Sequence, residues 1–304
     1  MIRVGCIGRT KYLYDTIKLI SKIPEYEIAF IWTSASEVFY EFQDENFKSL
    51  ANDLSVPFVN STNIDGYKDQ IDADLVISLN FQNIIPESFL KKFKFGVINA
   101  HAGDLPRYRG NACPNWAIIN EEEQIALSFH IMDATLDSGP IIHKEYLNLS
   151  EDTYIGEVYE WIERVVPEGF IESIKRRVDN IPPEQQKGRA LRTFPRKFED
   201  SKLDFSSDFN SNYKLIRASS RPFAGAYAYL NHTETMVKIY RAEAWEVPYD
   251  FCAISGQIME RFTDNTFLLA FTDCVMRVTD FEVDGKTQAE SFKIVCGSLR
   301  NRLT

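Results

Sequence analysis

The sequence predicts an α/β protein, with a Rossmann-like, mostly parallel sheet covered by helices, followed by a smaller β-rich, OB-like domain. Three observations predict it. Short apolar runs alternate with longer mixed segments through the first half of the chain. The composition then changes around Asn180–Lys197, where NIPPEQQKGRALRTFPRK is rich in Pro, Gln and basic residues and reads as a linker. Beyond it come short β-rich runs separated by polar turns such as TDNT. A chain of 304 residues has room for two domains, since single cores stop growing at roughly 250–300 residues. The expected division is residues 1–190 as the first domain and 191–304 as linker and small domain.

In order along the chain, Ile2–Ile7, Glu27–Trp32, Ala73–Leu79 and Gly96–His101 read as buried strands, with helices over Tyr12–Ile23, Ala35–Leu54 and Pro86–Lys92 between them. Gln124–Asp133 is a further buried strand, and Thr153–Val178 is a long helix that closes the first domain. The second domain opens with a helix over Asn210–Ser219. Strands over Gly225–Asn231, Met236–Trp245, Ala253–Arg261, Thr266–Phe271 and Val275–Phe281 follow, as in a small barrel or sandwich.

No segment reaches the ~18 uninterrupted apolar residues of a membrane span, and MIRVGCIGRTKYL reads as a first strand and not as a secretory leader. A cytoplasmic protein with no membrane partner is expected. Five cysteines with no C-x-x-C spacing argue against a disulfide framework or a metal site, and Cys6 and Cys113 read as core or pocket-wall packing. The net charge of −10, from 34 basic and 44 acidic residues, repels a polyanion, so no nucleic-acid partner is expected. A small anion held by a few arginines stays compatible with it. GCIGRTKYL lacks the third glycine of a dinucleotide fingerprint, and no acidic residue follows the second strand at the expected place. Arg9 and Lys11 nevertheless stand beyond a strand's carboxyl end, where open α/β sheets bind ligands.

The stretch NAHAGDLPRYRGNACPNWAI carries the most chemistry. Asn99 and His101 share one face of their strand because side chains alternate with period two. The next strand leads into MDATLDSGPII, a polar turn with Asp133 and Asp137. An Asp beside a His orients the imidazole, raises its pKa or moves protons itself.

INAHAGDLPRYRG followed by MDATLDSG resembles the signature of the folate-dependent formyltransferases: N-x-H at Asn99 and His101, L-P-x-x-R-G at Leu105–Gly110, and L-D-x-G at Leu136–Gly139. Within that family the sequence looks most like the nucleotide-sugar N-formyltransferases, which are related to methionyl-tRNA formyltransferase. The β-rich end of the chain is also similar to the small carboxyl domain of the tRNA enzyme. The resemblance implies formyl transfer from N10-formyltetrahydrofolate, with the Asn99 amide and protonated His101 as donors to the developing oxyanion and Asp137 as proton acceptor. It further implies a pterin pocket along LNFQNIIP, with Leu79, Phe81, Ile84 and the Asp133 loop as folate contacts. For Phe81 and Ile84 the alternative is core packing. Pro106 and Gly110 shape the loop.

Arg107 and Arg109 either contact an anionic acceptor or are structural, and Trp116 either faces a sugar or packs. RASSRPFAGAYAYL resembles a segment of a bacterial nucleotide-sugar formyltransferase, which implies that Arg217 and Arg221 approach a pyrophosphate. The expected acceptor is a nucleotide-linked amino sugar destined for a surface glycan such as O-antigen, and the expected assembly is a homodimer. Methionyl-tRNA formylation is the alternative, and a non-catalytic folate or nucleotide-sugar binding protein ranks below it.

Overall fold

A computed structural model describes residues 1–34, 42–81, 83–272 and 274–304. By its contacts the chain divides into two compact units. The first comprises residues 1–113, 124–148 and 159–193, and the second residues 114–123, 149–158 and 194–304.

The elements through the first half are β1 (Ile2–Gly8), α1 (Lys11–Ile20), β2 (Tyr26–Thr33), α2 (Asp44–Leu54), β3 (Phe58–Asn60), α3 (Ile64–Tyr67), β4 (Leu75–Leu79), α4 (Glu87–Leu90), β5 (Val97–His101), β6 (Arg109–Gly110), α5 (Cys113–Ile119), β7 (Gln124–Ile131) and β8 (Ile141–Asn148). They form a seven-stranded sheet in the order β3-β2-β1-β4-β5-β7-β8. β1 to β5 run parallel, β7 turns antiparallel to β5, and β8 antiparallel to β7. The central strands β1, β4 and β5 are covered on both faces, which is why they read as near-continuous apolar runs. α1 buries Leu13, Thr16, Ile17 and Ile20, the spacing of one helical face. The first part of the expected helix over Ala35–Leu54 lies outside the described residues, and α2 begins at Asp44.

β8 lies at the sheet edge, and its His143, Lys144 and Glu145 mask the apolar alternation that would have announced it. α6 (Ile155–Val178) follows. It lies close against β7, because Gly169 faces Phe129 where a Cβ would stand 2.2 Å from the ring. Phe170 adds an edge-to-face contact to the same ring at 5.2 Å.

Residues 184–193, inside the stretch read as a linker, are hydrogen-bonded to the first unit. Glu184 and Ile141 exchange two backbone bonds of 2.7 Å, and β9 (Arg192–Thr193) pairs with β6.

The second unit contains α7 (Phe209–Ser219), β10 (Ala226–Tyr229), β11 (Met236–Trp245), β12 (Ile258–Arg261), β13 (Phe267–Ala270), β14 (Val275–Val283) and α8 (Gln288–Val295). Its antiparallel sheet runs β10-β11-β14-β13-β12. Residues 301–304 join its two ends. Tyr229 and Thr304 exchange bonds of 2.8 Å on the β10 side, while Leu303 donates to the Gly256 carbonyl at 2.8 Å ahead of β12. The barrel encloses Val237, Ile239, Phe267, Met276, Val278 and Phe281. The predicted pairing of a mostly parallel α/β unit with a separate β-rich one is thus present. No described helix is long and apolar enough to cross a membrane.

Candidate active site

At the carboxyl end of β5, Asn99 and His101 lie on one face of the strand, and the chain then doubles back. His101 Nε2 lies 2.6 Å from the carbonyl oxygen of Tyr108. A carbonyl only accepts, so Nε2 carries a proton and donates it there. Gly103 leaves room for this return, since a Cβ would stand 2.4 Å from the Tyr108 oxygen and 2.7 Å from His101 Nε2. Cys113 lines the same spot, its thiol donating to the Tyr108 oxygen at 3.0 Å and lying 3.6 Å from His101 Nε2.

Asp137 comes to His101 from the loop between β7 and β8. Its backbone is left-handed, with φ 51°. Gly139 secures the turn, because a Cβ there would come 1.7 Å from the Ile131 oxygen. Gly110 does more than shape its loop: its N–H donates to Asp137 Oδ2 at 3.0 Å, and φ of 115° with Thr193 close behind demands glycine. Gln186 holds the loop from below, Nε2 donating to the Asp137 and Gly139 carbonyls at 2.9 and 2.8 Å. Arg109 fixes Gln186 in turn, with Nε and Nη2 donating to Oε1 at 3.1 and 2.6 Å.

The resulting carboxylate stands between two imidazoles. Its Oδ2 is 3.6 Å from His101 Nδ1 and its Oδ1 is 3.7 Å from His130 Nε2. Burial alone would depress the His101 pKa, but the Cys113 thiol, the Asp137 charge and the Tyr108 carbonyl outweigh it and raise the pKa to about 9. Burial and the neighbouring His101 charge push His130 down to about 4, against the pull of Asp137. At neutral pH one ring is therefore a cation and the other is neutral. Separated pKa values in neighbouring groups are the usual mark of an acid–base site.

His130 was not singled out in the sequence, where it sits inside the apolar run QIALSFHI. The signal that finds it is the strand register: β5 and β7 pair Asn99 opposite His130. The Asn99 amide donates to His130 Nε2 at 3.3 Å.

The structure brings Asn99, His101 and Asp137 together in the first unit, but several other predicted residues have separate commitments. Leu79 is buried at the end of β4, its carbonyl accepting from Arg9 N–H at 3.1 Å. Phe81 packs edge-on against Trp32 at the margin of the core, whereas Ile84 is 90% exposed. Asp133 accepts from Ser138 Oγ at 2.6 Å and from Thr135 N–H at 3.0 Å, closing its own turn. The Arg9 side chain is buried. Lys11 is paired with Asp15 and Glu163, which hold its ammonium pKa above the usual range.

Arg107 is exposed beside Tyr108 and borders a cleft of about 750 Å³, with Asp104, Lys144, Arg176, Gln186 and Arg189 among its walls. In the second unit, the Trp116 indole N–H donates to the Phe194 carbonyl at 2.9 Å. Arg217 is buried, with Nη1 donating to the Thr153 carbonyl at 3.2 Å and the Ser150 carbonyl at 3.4 Å. Arg221 pairs with Asp280 and lies over the Tyr240 ring at 3.7 Å.

A buried imidazolium, an amide and a carboxylate gathered beyond the end of β5 combine donors suited to an oxyanion with an acceptor suited to a proton. Residues 37–174 match the family model described as formyl transferase. A methionyl-tRNA formyltransferase of Citrifermentans bemidjiense is 30% identical over 57% of this chain and 54% of its own, so that match spans about half of the relative. The methionyl-tRNA formyltransferase of Fusobacterium nucleatum is 25% identical over 97% of both chains.

Among solved structures, the N-formyltransferase of Helicobacter canadensis in complex with folinic acid and dTDP-3-aminofucose superposes with a TM-score of 0.68 at 17% identity, covering 91% of this chain and 99% of that one. HypX of Aquifex aeolicus in complex with tetrahydrofolic acid gives 0.63 at 16% identity, covering 94% of this chain but 45% of its own. These likenesses establish the fold. The segment that matches the formyl transferase model holds Asn99, His101 and Asp137.

Proposed function

We propose that this chain transfers a formyl group from N10-formyltetrahydrofolate to the amino group of a nucleotide-linked amino sugar. The observation that carries the reading is the convergence of Asn99, His101 and Asp137 inside the segment that matches the formyl transferase model. The acceptor nitrogen attacks the formyl carbon, and the carbonyl oxygen gains negative charge as the centre becomes tetrahedral. His101 supplies charge and an N–H from Nδ1, because Nε2–H is already committed to Tyr108. Asn99 supplies a neutral donor from the same strand face.

The C–N10 bond then breaks. The amine loses one proton and N10 gains one, so the site must return the proton that it takes. Asp137 takes it and passes it on directly or through water, while its charge keeps His101 protonated through the cycle. The apolar side chains of Ile84 and Leu136 are 90% and 49% exposed on the loops after β4 and β7, and a bound pterin would cover them.

An amino-sugar nucleotide is preferred over tRNA because phosphate contacts dominate nucleic-acid affinity and this chain carries a net charge of −10. The tRNA reading has its own support in the methionyl-tRNA formyltransferase that aligns along 97% of the chain. One experiment decides between them: mass-spectrometric detection of formylated product from UDP-, dTDP- and GDP-linked amino sugars and from methionyl-tRNA, each with N10-formyltetrahydrofolate. Formylation of an amino-sugar nucleotide is expected. Turnover of methionyl-tRNA alone would overturn the acceptor assignment.

A further inference from the structure

Within the site, the formyl-transfer reading leaves one buried titratable group unused. His130 is 2% exposed and lies opposite Asn99 in the β5–β7 pairing. An amide nitrogen can only donate, so the 3.3 Å contact between Asn99 Nδ2 and His130 Nε2 requires Nε2 to be bare. The other ring nitrogen then carries the hydrogen, and Nδ1 lies 3.2 Å from the Ile131 carbonyl, which can accept it. The two bonds agree on a single tautomer. The charged groups facing the ring are consistent with it: His101 across the pairing disfavours a second proton, while Asp137 and Asp133 from the following loop favour one. Burial decides the balance for the neutral ring.

We propose that His130 is a positioning residue which, through its bare Nε2, fixes the Asn99 amide so that the second N–H of Asn99 points at the oxygen of the reacting formyl group. An unsupported Asn can rotate by half a turn and present its own oxygen to the oxyanion, which would repel it. A hydrogen-bond acceptor placed behind one N–H removes that alternative, as shells around metal ligands fix imidazole tautomers.

Two substitutions separate positioning from packing. His130→Leu keeps an apolar filling but removes the acceptor, whereas His130→Gln can place Oε1 near the position of Nε2. His130→Leu is expected to lower kcat by about 10–100-fold with KM for folate and acceptor little changed, and His130→Gln to stay within about threefold of wild type. Wild-type kcat in His130→Leu, or an equal loss in both variants, would overturn the proposal.

The kinetic arm rests on the formyl-transfer reading, but a second arm does not. In ¹⁵N-histidine-labelled wild-type protein without substrates, imidazole nitrogen NMR at neutral pH is expected to show His130 protonated at Nδ1 and bare at Nε2. A hydrogen on Nε2 would overturn the positioning role even if every candidate acceptor failed to react, and it needs no variant that folds.

Discussion

The two units use their polar side chains in opposite ways. In the first, Asn99, His101, His130 and Asp137 come from two strands and a loop that are distant in sequence; backbone groups hold one edge of His101, His130 and Asp137, and the other edges face one another. In the second, the cations and the indole that looked available in the sequence are engaged within the fold. Arg217 serves two backbone carbonyls, Arg221 an aspartate and a tyrosine ring, and Trp116 a carbonyl. A polar residue anchored at one edge, with its other edge near a functional group at more than hydrogen-bond distance, is open to chemistry, whereas one whose polar atoms all serve the fold already has its role. Residue type alone does not distinguish the two.

The sharpest test of this contrast is removal of a donor from the site. His101→Ala or Asn99→Ala should lower kcat by roughly 10²–10³ with the fold intact, as loss of a preorganised oxyanion donor does. The double variant should fall little further than the worse single one, because the groups act as a unit. Steady-state kinetics with a circular-dichroism control checks this, and wild-type turnover in either single variant would break the comparison on the side of the first unit.

Releasing the Asp137 loop should cost less. Gln186→Leu deletes the two bonds to the Asp137 and Gly139 carbonyls but leaves the carboxylate in place. A fall in kcat of about tenfold is expected, since misplacement of a reacting group by about 1 Å can cost up to 10².

On the other side of the comparison, Arg217→Ala should cost about 1–3 kcal/mol of stability, since it strips a charged donor from buried carbonyls. Arg221→Ala, at a largely exposed ion pair, should cost no more than about 1 kcal/mol. Neither should alter kcat. Denaturant titration measures both, and an acceptor KM that rose strongly in Arg217→Ala with stability unchanged would show that its guanidinium contacts ligand.

A further test is the pH dependence of stability. The folded pKa of His101 is raised to about 9, so its contribution is complete below its unfolded value near 6.5 and is lost as pH rises through 9. His130 is lowered to about 4, so the unfolded chain binds a proton that the folded one resists, and stability falls as pH drops from about 6.5 towards 4. The two limbs, each on the order of 1–3 kcal/mol, place a maximum near pH 6.5. His101→Asn should flatten the alkaline limb and also shrink the acidic one, because the His101 charge helps to hold His130 down, whereas His130→Gln should flatten the acidic limb alone, as read by melting temperature against pH.

Much of this was legible beforehand for physical reasons. Period-two alternation places Asn99 and His101 on one face whatever surrounds them, and the apolar runs of β1, β4 and β5 reflect strands buried on both sides. His130 was not legible, because antiparallel register is set by partners distant in sequence, and a single histidine in an apolar strand looks like packing. The segment over 184–193 resembled a linker because it attaches through backbone bonds and the polar side chains of Gln186 and Thr193, which leave no hydrophobic periodicity to read. Gly110 was read for its turn alone, since a backbone N–H aimed at a carboxylate has no letter in the sequence.

The closure made by residues 301–304 has a consequence for how the protein can be handled. These four residues occupy ladder positions at both ends of the barrel sheet, on Tyr229 and Asn231 on one side and on Gly256 and Ile258 on the other. Deleting them would leave two rows of backbone N–H and C=O groups open to another chain, turning a protected surface into a template for edge-to-edge association. A form lacking them should therefore lose solubility at high concentration before it loses its secondary structure, while Asn99, His101 and Asp137 in the other unit remain chemically untouched.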